Sequence, residues 1–135
     1  KKKKITKITA FKMNEKVDSG DYILKKKMFL KGSAHEIYKR TSLKSREMIK
    51  KILSKKIKYK KQIGKIVYFK RRKPFQSKIN KINNLHDLYD FIRMLDAPSY
   101  PKAYLKIGKM KIFFYNAKLE NNKKTLNCNI KLYDK

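Results

Sequence analysis

The stretch MNEKVDSGD, residues 13–21, decides how the first part of this chain folds. An alternating run from Ile8 to Met13 leads into it, and an apolar run from Tyr22 to Leu24 follows it. Carboxylate residues and a glycine between two such runs are typical of a turn that joins two strands. We therefore predict a strand, an acidic turn and a second strand, with a carboxylate held at the rim of a sheet.

Two strands and a capped helix are predicted around and after this turn. Alternation gives strands over 5–13 and 22–30. Ser33 and Glu36 stand at the spacing of a capping box, in which each side chain accepts a hydrogen bond from the other residue's backbone N–H. Apolar residues then recur near helical spacing, so a helix is predicted from about Ala34 to Ser54.

The second half of the chain predicts a short strand, a linker, a helix, a hairpin and a last strand. Residues 66–69 are β-branched and aromatic, as in a strand. Asn84 is a good N-cap for a helix with an apolar stripe. Gly108 and Lys109 form a two-residue hairpin loop with glycine first, as a type II′ turn prefers. Alternation over 126–132 predicts the last strand.

Composition limits the class of protein. A chain of 135 residues with 41% hydrophobic residues can form one domain, or one domain with a small appendage. No apolar run approaches the length of a membrane span, and no apolar segment follows the first lysines as in a secretory signal. The single cysteine, Cys128, excludes an internal disulfide and is predicted to be a small core residue. We expect a cytoplasmic protein with no membrane partner.

The formal net charge of +29 has two interpretations. Such a charge binds any polyanion non-specifically, which favours a nucleic-acid partner. The abundant Lys, Ile, Asn, Tyr and Phe also share A/T-rich codons, and the lysines are spread along the whole chain. We favour compositional drift as the main cause, and a polyanion partner stays open.

Two parts of the chain resemble the formyltransferases that use 10-formyltetrahydrofolate. FKMNEKVDSGDYIL, residues 11–24, is similar to a strand, a short acidic turn and the Asp-Ser/Thr-Gly triplet that carries the catalytic aspartate of that family. GSAHEIY, residues 32–38, looks like the family's next capped helix. FKRRKP at 69–74, LYDFIRMLDAP at 88–98 and YPKA at 100–103 resemble its basic linker, its short helix and the start of its C-terminal β-piece. Order and spacing agree over roughly 8–132.

The resemblance implies an α/β fold with three parts. Residues 1–70 would be the C-terminal part of a Rossmann-like formyltransferase domain, 71–83 a linker, and 84–135 a small subdomain of one helix and an antiparallel β-piece. The family's catalytic Asn and His lie upstream of the matching part. We therefore expect this chain to be an incomplete piece of an enzyme, inactive by itself.

The implied reaction is formyl transfer from 10-formyltetrahydrofolate to a primary amine, with no metal. Asp18 matches the catalytic aspartate, which would hold the family's histidine in its protonated form or relay the proton that leaves the amine. Without the resemblance, Asp18 would be a turn residue of the Asx type. Ser19 and Gly20 would support the turn, Gly20 through a backbone conformation that other residues resist. Arg71 and Arg72 either belong to a solvated linker or contact a substrate phosphate.

The acceptor amine is the least determined part of this expectation. The tRNA enzymes of the family resemble one another in a full C-terminal barrel, whereas only about thirty residues follow Ala103 here. We therefore expect an amino sugar carried on a nucleotide, with methionyl-tRNA as the alternative. A basic, non-enzymatic nucleic-acid-binding module is the alternative of another class, and a homodimer stays open.

Overall fold

The computed structural model describes residues 3–54, 56 and 58–133. The chain divides into two compact units, Lys1–Lys31 with Ile37–Phe69 and Gly32–Glu36 with Lys70–Lys135. The described residues form two α-helices and two antiparallel sheets, which confirms a small α/β fold. The Rossmann-like part of the expected fold and the two boundaries between the three predicted parts stay predictions.

The first unit contains the predicted pair of strands. β1 (Ile5–Phe11) pairs with β2 (Tyr22–Phe29) in antiparallel orientation. Leu24, Lys26 and Met28 share the less exposed face of β2, and Met28 is buried. The two-residue alternation of a strand accounts for this arrangement, although Lys26 interrupts the apolar residues on that face.

Helix α1 (Ala34–Leu53) begins at the predicted capping box. The backbone N–H of Ser33 donates to Glu36 Oε2 at 2.7 Å, and the backbone N–H of Glu36 donates to Ser33 Oγ at 3.3 Å. Farther along the helix, Glu47 accepts a hydrogen bond from Lys26 of β2 at 2.8 Å. The cap and the helix length are confirmed.

The strand expected over 66–69 is wrong. These four residues lie outside regular structure and are 62% to 89% exposed. A strand exists through hydrogen bonds to a neighbour. In the described part of the first unit, the segment after α1 reaches β2 through a single isolated bridge, between Tyr22 and Lys60. Strand propensity without a neighbouring edge did not produce a strand.

The second unit packs one helix on a three-stranded sheet. Helix α2 (Leu85–Leu95) is capped as predicted, because Asn84 Oδ1 accepts from the backbone N–H of Asp87 at 2.9 Å. The sheet consists of β3 (Ala103–Ile107), β4 (Met110–Leu119) and β5 (Leu126–Tyr133), in that order. Gly108 has a φ of 55° in the loop between β3 and β4, in agreement with the predicted hairpin.

The core of the second unit draws on α2, β3 and part of the segment that we predict to be a linker. Its buried members are Ile79, Ile92, Leu95 and Ala103. Ile79 comes from the predicted linker, and its backbone N–H donates to the carbonyl of Tyr104 at 2.7 Å. A short 3-10 helix, Pro74–Ser77, precedes it. One apolar side chain in a polar stretch thus has a place in the core that no local pattern indicated.

A buried carboxylate ties the end of α2 to β4. Asp96, the C-cap residue of α2, is 8% exposed. Its Oδ1 accepts from Lys102 Nζ at 2.7 Å, and its Oδ2 accepts from the backbone N–H of Asn116 at 2.7 Å. Asn116 has a φ of 51° and lies where the register of β4 with β5 shifts. Asp96 therefore stabilises an irregularity of the sheet as well as a helix end.

Candidate active site

The acidic turn extends the hairpin of β1 and β2 beyond its last pair, Phe11 with Tyr22. The backbone N–H of Lys12 donates to the carbonyl of Asp21 at 2.9 Å, which joins the two sides of the turn at its base. Gly20 passes so close to Lys12 that a Cβ at position 20 would lie 1.6 Å from the Lys12 carbonyl oxygen. Glycine is therefore required at this position by close approach of the backbone.

Asp18 lies at the tip of the turn. The backbone N–H of Ser19 lies 3.4 Å from the carbonyl of Lys16, which closes a four-residue turn with Asp18 in third place. Asp18 has a φ of 54°, a left-handed conformation that Asp tolerates better than most residues. The left-handed residue of the triplet is thus Asp18, whereas the φ of Gly20 lies outside that region. The Asp18 side chain is exposed, so its carboxylate is available at the rim of the hairpin.

The turn is also tied internally through Ser19. The Ser19 hydroxyl lies 2.7 Å from Asn14 Oδ1 and 2.9 Å from the carbonyl oxygen of Lys16. Its single proton can be donated to either acceptor. Either hydrogen bond holds Ser19 against residues 14–16, the first half of the turn. Ser19 thus supports the turn, as the sequence indicated.

A side chain from far along the chain crosses the same turn. Gln62 Nε2 donates to the carbonyl of Asp18 at 2.8 Å and to the carbonyl of Gly20 at 2.7 Å. Close to Gln62, Lys60 exchanges two backbone hydrogen bonds with Tyr22, at 2.8 and 2.9 Å. Sequence reasoning missed Gln62 because it stands 44 residues from Asp18 in a lysine-rich connection without periodicity.

The two predicted phosphate contacts, Arg71 and Arg72, are both exposed at the start of the second unit. The Arg72 guanidinium lies over the ring of Phe91, with 5.5 Å from Cζ to the centroid. It also donates to the backbone carbonyl of Gln76. Arg72 is therefore partly held by its own unit, and the contact of either arginine with a phosphate stays a prediction.

An open groove of about 820 Å³ lies on the second unit and is called the aromatic groove below. Its lining consists of Tyr100, Pro101, Lys102, Lys111, Phe113, Tyr115, Lys131 and Tyr133. Lys131 Nζ lies 5.2 Å from the ring centroid of Tyr133, and Lys111 Nζ lies 5.5 Å from that of Tyr104, which is outside the lining but packs on Phe113. Lys102 is paired with Asp96. Aromatic faces interleaved with cations, and no acidic residue in the lining, are typical of surfaces that bind unpaired nucleotides.

Two searches of the described residues bear on other classes of site. No group of three or more histidine, cysteine, aspartate or glutamate residues in that part of the chain could hold a metal ion. Among the same residues, no helix is long and apolar enough to cross a membrane. Cys128 is half-buried, and its burial raises the pKa of the thiol. It does not belong to the described core cluster, so the predicted core position is not confirmed.

Comparisons with known proteins match either the second half of the chain or nearly all of it. The model of the methionyl-tRNA formyltransferase C-terminal domain matches residues 74–133. The solved structure of a methionyl-tRNA formyltransferase from Clostridium thermocellum is similar over 98% of this chain, with a TM-score of 0.90 and 37% sequence identity. The chain spans 58% of the length of that protein. Among curated proteins, no match was found.

The chain therefore matches the C-terminal portion of the formyltransferase family. Within the family, both of these relatives are described as methionyl-tRNA formyltransferases. They lend no support to the expected amino-sugar acceptor and favour the alternative. The short tail was a poor criterion, since α2 and the three strands β3 to β5 lie within the residues that match the C-terminal domain of the tRNA enzymes.

Proposed function

We propose that the protein transfers a formyl group from 10-formyltetrahydrofolate to the amine of methionyl-tRNA. The observation that carries the proposal is the likeness over 98% of the chain to a methionyl-tRNA formyltransferase at 37% identity. The proposal includes a Rossmann-like part of the full-length protein that supplies the catalytic Asn and His. Asp18 is the catalytic residue that this chain contributes.

The geometry of the turn fits the part of the reaction assigned to Asp18. When bound, 10-formyltetrahydrofolate supplies the formyl group. The acceptor nitrogen forms a new bond to the formyl carbon, the bond from that carbon to N10 of the folate breaks, and overall the amine loses one proton while N10 gains one. An exposed carboxylate on a braced turn can take that proton, or hold a neighbouring histidine in its charged form. Both tasks require the carboxylate oxygen within hydrogen-bond distance of its partner, so the position of the turn backbone matters.

The acceptor is tested directly with the full-length protein. We expect formylation of methionyl-tRNA in the presence of 10-formyltetrahydrofolate, and no formylation of nucleotide-linked amino sugars. Uncharged tRNA, which lacks the amine, is the control. Formylation of the sugar alone would restore the amino-sugar assignment. Salt-dependent RNA binding without formylation of either acceptor would instead favour the non-enzymatic nucleic-acid-binding module.

The aromatic groove supports a nucleic-acid acceptor and gives a second prediction. In the variant Lys111→Ala/Lys131→Ala, we expect weaker tRNA binding and a smaller salt dependence of the binding constant. The slope of log K against log [salt] should fall by about 1.5, because each phosphate contact contributes roughly 0.7 to 0.9. Dissociation constants measured between about 50 and 200 mM salt provide the slope.

The matched control removes two exposed lysines of the first unit, Lys27 and Lys39. Lys27→Ala/Lys39→Ala lowers the net charge by the same amount. An equal loss of slope in both double variants would show that total charge, and not the aromatic groove, determines tRNA binding.

A further inference from the structure

The side-chain amide of Gln62 donates two hydrogen bonds to the backbone of the acidic turn. Its Nε2 donates to the carbonyl oxygen of Asp18 at 2.8 Å and to the carbonyl oxygen of Gly20 at 2.7 Å. A single side chain thus fixes the orientation of two peptide groups of the turn, the one between residues 18 and 19 and the one between residues 20 and 21. No other amino acid of this length offers two N–H donors on one nitrogen with no charge.

The turn needs such a brace because of the conformation of Asp18. A non-glycine residue at a φ of 54° is uncommon, and it persists when the surrounding structure holds it. The hydroxyl of Ser19 bonds to Asn14 or Lys16 in the first half of the turn, but these hydrogen bonds are local and exposed. Gln62 is the contact that ties the described turn to a distant part of the chain.

The backbone near Gln62 is itself held by hydrogen bonds to β2. Lys60, two residues before Gln62, exchanges two backbone hydrogen bonds with Tyr22, the first residue of β2. Tyr22 also forms the last pair of the hairpin, with Phe11. The backbone that carries Gln62 is therefore held at the foot of the turn that its side chain spans.

We propose that Gln62 is a positioning residue for formyl transfer, which fixes the backbone of the Asp18 turn so that the carboxylate meets its reaction partner. The inference rests on the proposed catalytic role of Asp18. Misplacement of a reacting group by about 1 Å can cost on the order of 100-fold in rate, so the loss of this brace has a measurable consequence.

The test compares Gln62→Met and Gln62→Glu in the full-length protein. Both variants keep the length of the side chain and remove the two N–H donors, and Glu also places a negative charge against two carbonyl oxygens. We expect kcat for methionyl-tRNA to fall by about 10- to 100-fold, with KM changed by less than about 3-fold, since a positioning defect acts on the reacting geometry.

The chain offers a matched control in its other glutamine. Gln76 lies in the 3-10 helix of the second unit, where its Oε1 accepts from the backbone N–H of Lys73 at 2.7 Å. Gln76→Met should leave kcat within about 2-fold of the parent value, because it removes a hydrogen bond local to the second unit that does not involve the Asp18 turn. An equal loss in Gln76→Met would overturn the inference.

Two further measurements separate positioning from general stability. Without substrates, the Ser19 amide and the Lys16–Val17 bond should become more accessible to hydrogen exchange and trypsin in Gln62→Met, while the circular dichroism spectrum stays the same. In an Asp18→Asn background, Gln62→Met should cause no further loss of kcat, because its effect passes through Asp18.

The outcomes distinguish this inference from the proposed function. Full activity of Asp18→Asn would remove the catalytic role of Asp18, and with it the basis for a positioning role of Gln62. A severe defect in Asp18→Asn with unchanged kcat in both Gln62 variants would overturn the positioning role alone. Additive losses in the double variant would also overturn it, since Gln62 would then act by another route.

Discussion

Replacing Asp18 by Asn is expected to lower kcat/KM for methionyl-tRNA by about 100- to 10,000-fold, the range typical of a lost acid–base group. Asn has the same size and also tolerates the left-handed conformation, so the φ of 54° at this position is retained. What is lost is the negative charge and the oxygen that can accept a proton. Initial rates of formylation with the full-length variant provide the measurement, and an unchanged circular dichroism spectrum shows that the fold is intact.

Glu15→Gln is the control for Asp18→Asn. Glu15 is another exposed carboxylate of the same turn, so its amide variant removes one charge without touching the proposed catalytic group. We expect its kcat/KM to stay within about 3-fold of the parent, as for a surface charge that does not contact the reacting atoms. Parental activity in Asp18→Asn would leave Asp18 as a turn residue of the Asx type.

Replacing Asp96 by Ala is expected to lower the free energy of unfolding by about 2 kcal/mol, since it removes a buried carboxylate and, with it, the acceptor of one backbone N–H and of one ammonium group. Asp96 is 8% exposed and accepts hydrogen bonds from Lys102 and from the backbone of Asn116, both at 2.7 Å. Asp96→Asn keeps one acceptor oxygen and should lose less. Equilibrium unfolding in urea with the full-length protein measures both variants.

The surface pair of Lys26 and Glu47 is the control for Asp96. Its N–O distance of 2.8 Å is nearly the same as that of Asp96 with Lys102, but the Glu47 side chain is 57% exposed. Water solvates such an ion pair well, so Glu47→Ala should change the unfolding midpoint far less than Asp96→Ala. Equal shifts in the two variants would contradict the importance of burial at Asp96.

Features that depend on neighbours a few residues apart were predictable. The capping box of Ser33 and Glu36, the Asn84 cap and the Gly108 loop each involve side chains and backbone groups within one turn of the chain. Their chemistry is complete in a short window, so composition and spacing identify them. The acidic turn between two strands belongs to the same class.

Features that depend on a distant partner were not predictable. Residues 66–69 have strand-forming side chains, yet no neighbouring edge in the described part of the chain pairs with them. Ile79 has polar neighbours in sequence, yet it enters the core beside Ile92 and Ala103. The comparisons do not support the expected amino-sugar acceptor for a related reason, because the number of residues after Ala103 says little about which C-terminal domain they form.

The position of Asp18 in a turn between two strands could be predicted from the residues around it, because alternation and turn residues act locally. The contacts that hold this turn became clear from the fold alone. Gln62 reaches Gly20 across 42 residues, and Asp96 reaches Asn116 across 20. Contacts of this kind arise when separate segments fold together, and they leave no mark in the local pattern of residues that they join. The proposed catalytic residue was therefore visible in the sequence, while its support was visible only in the fold.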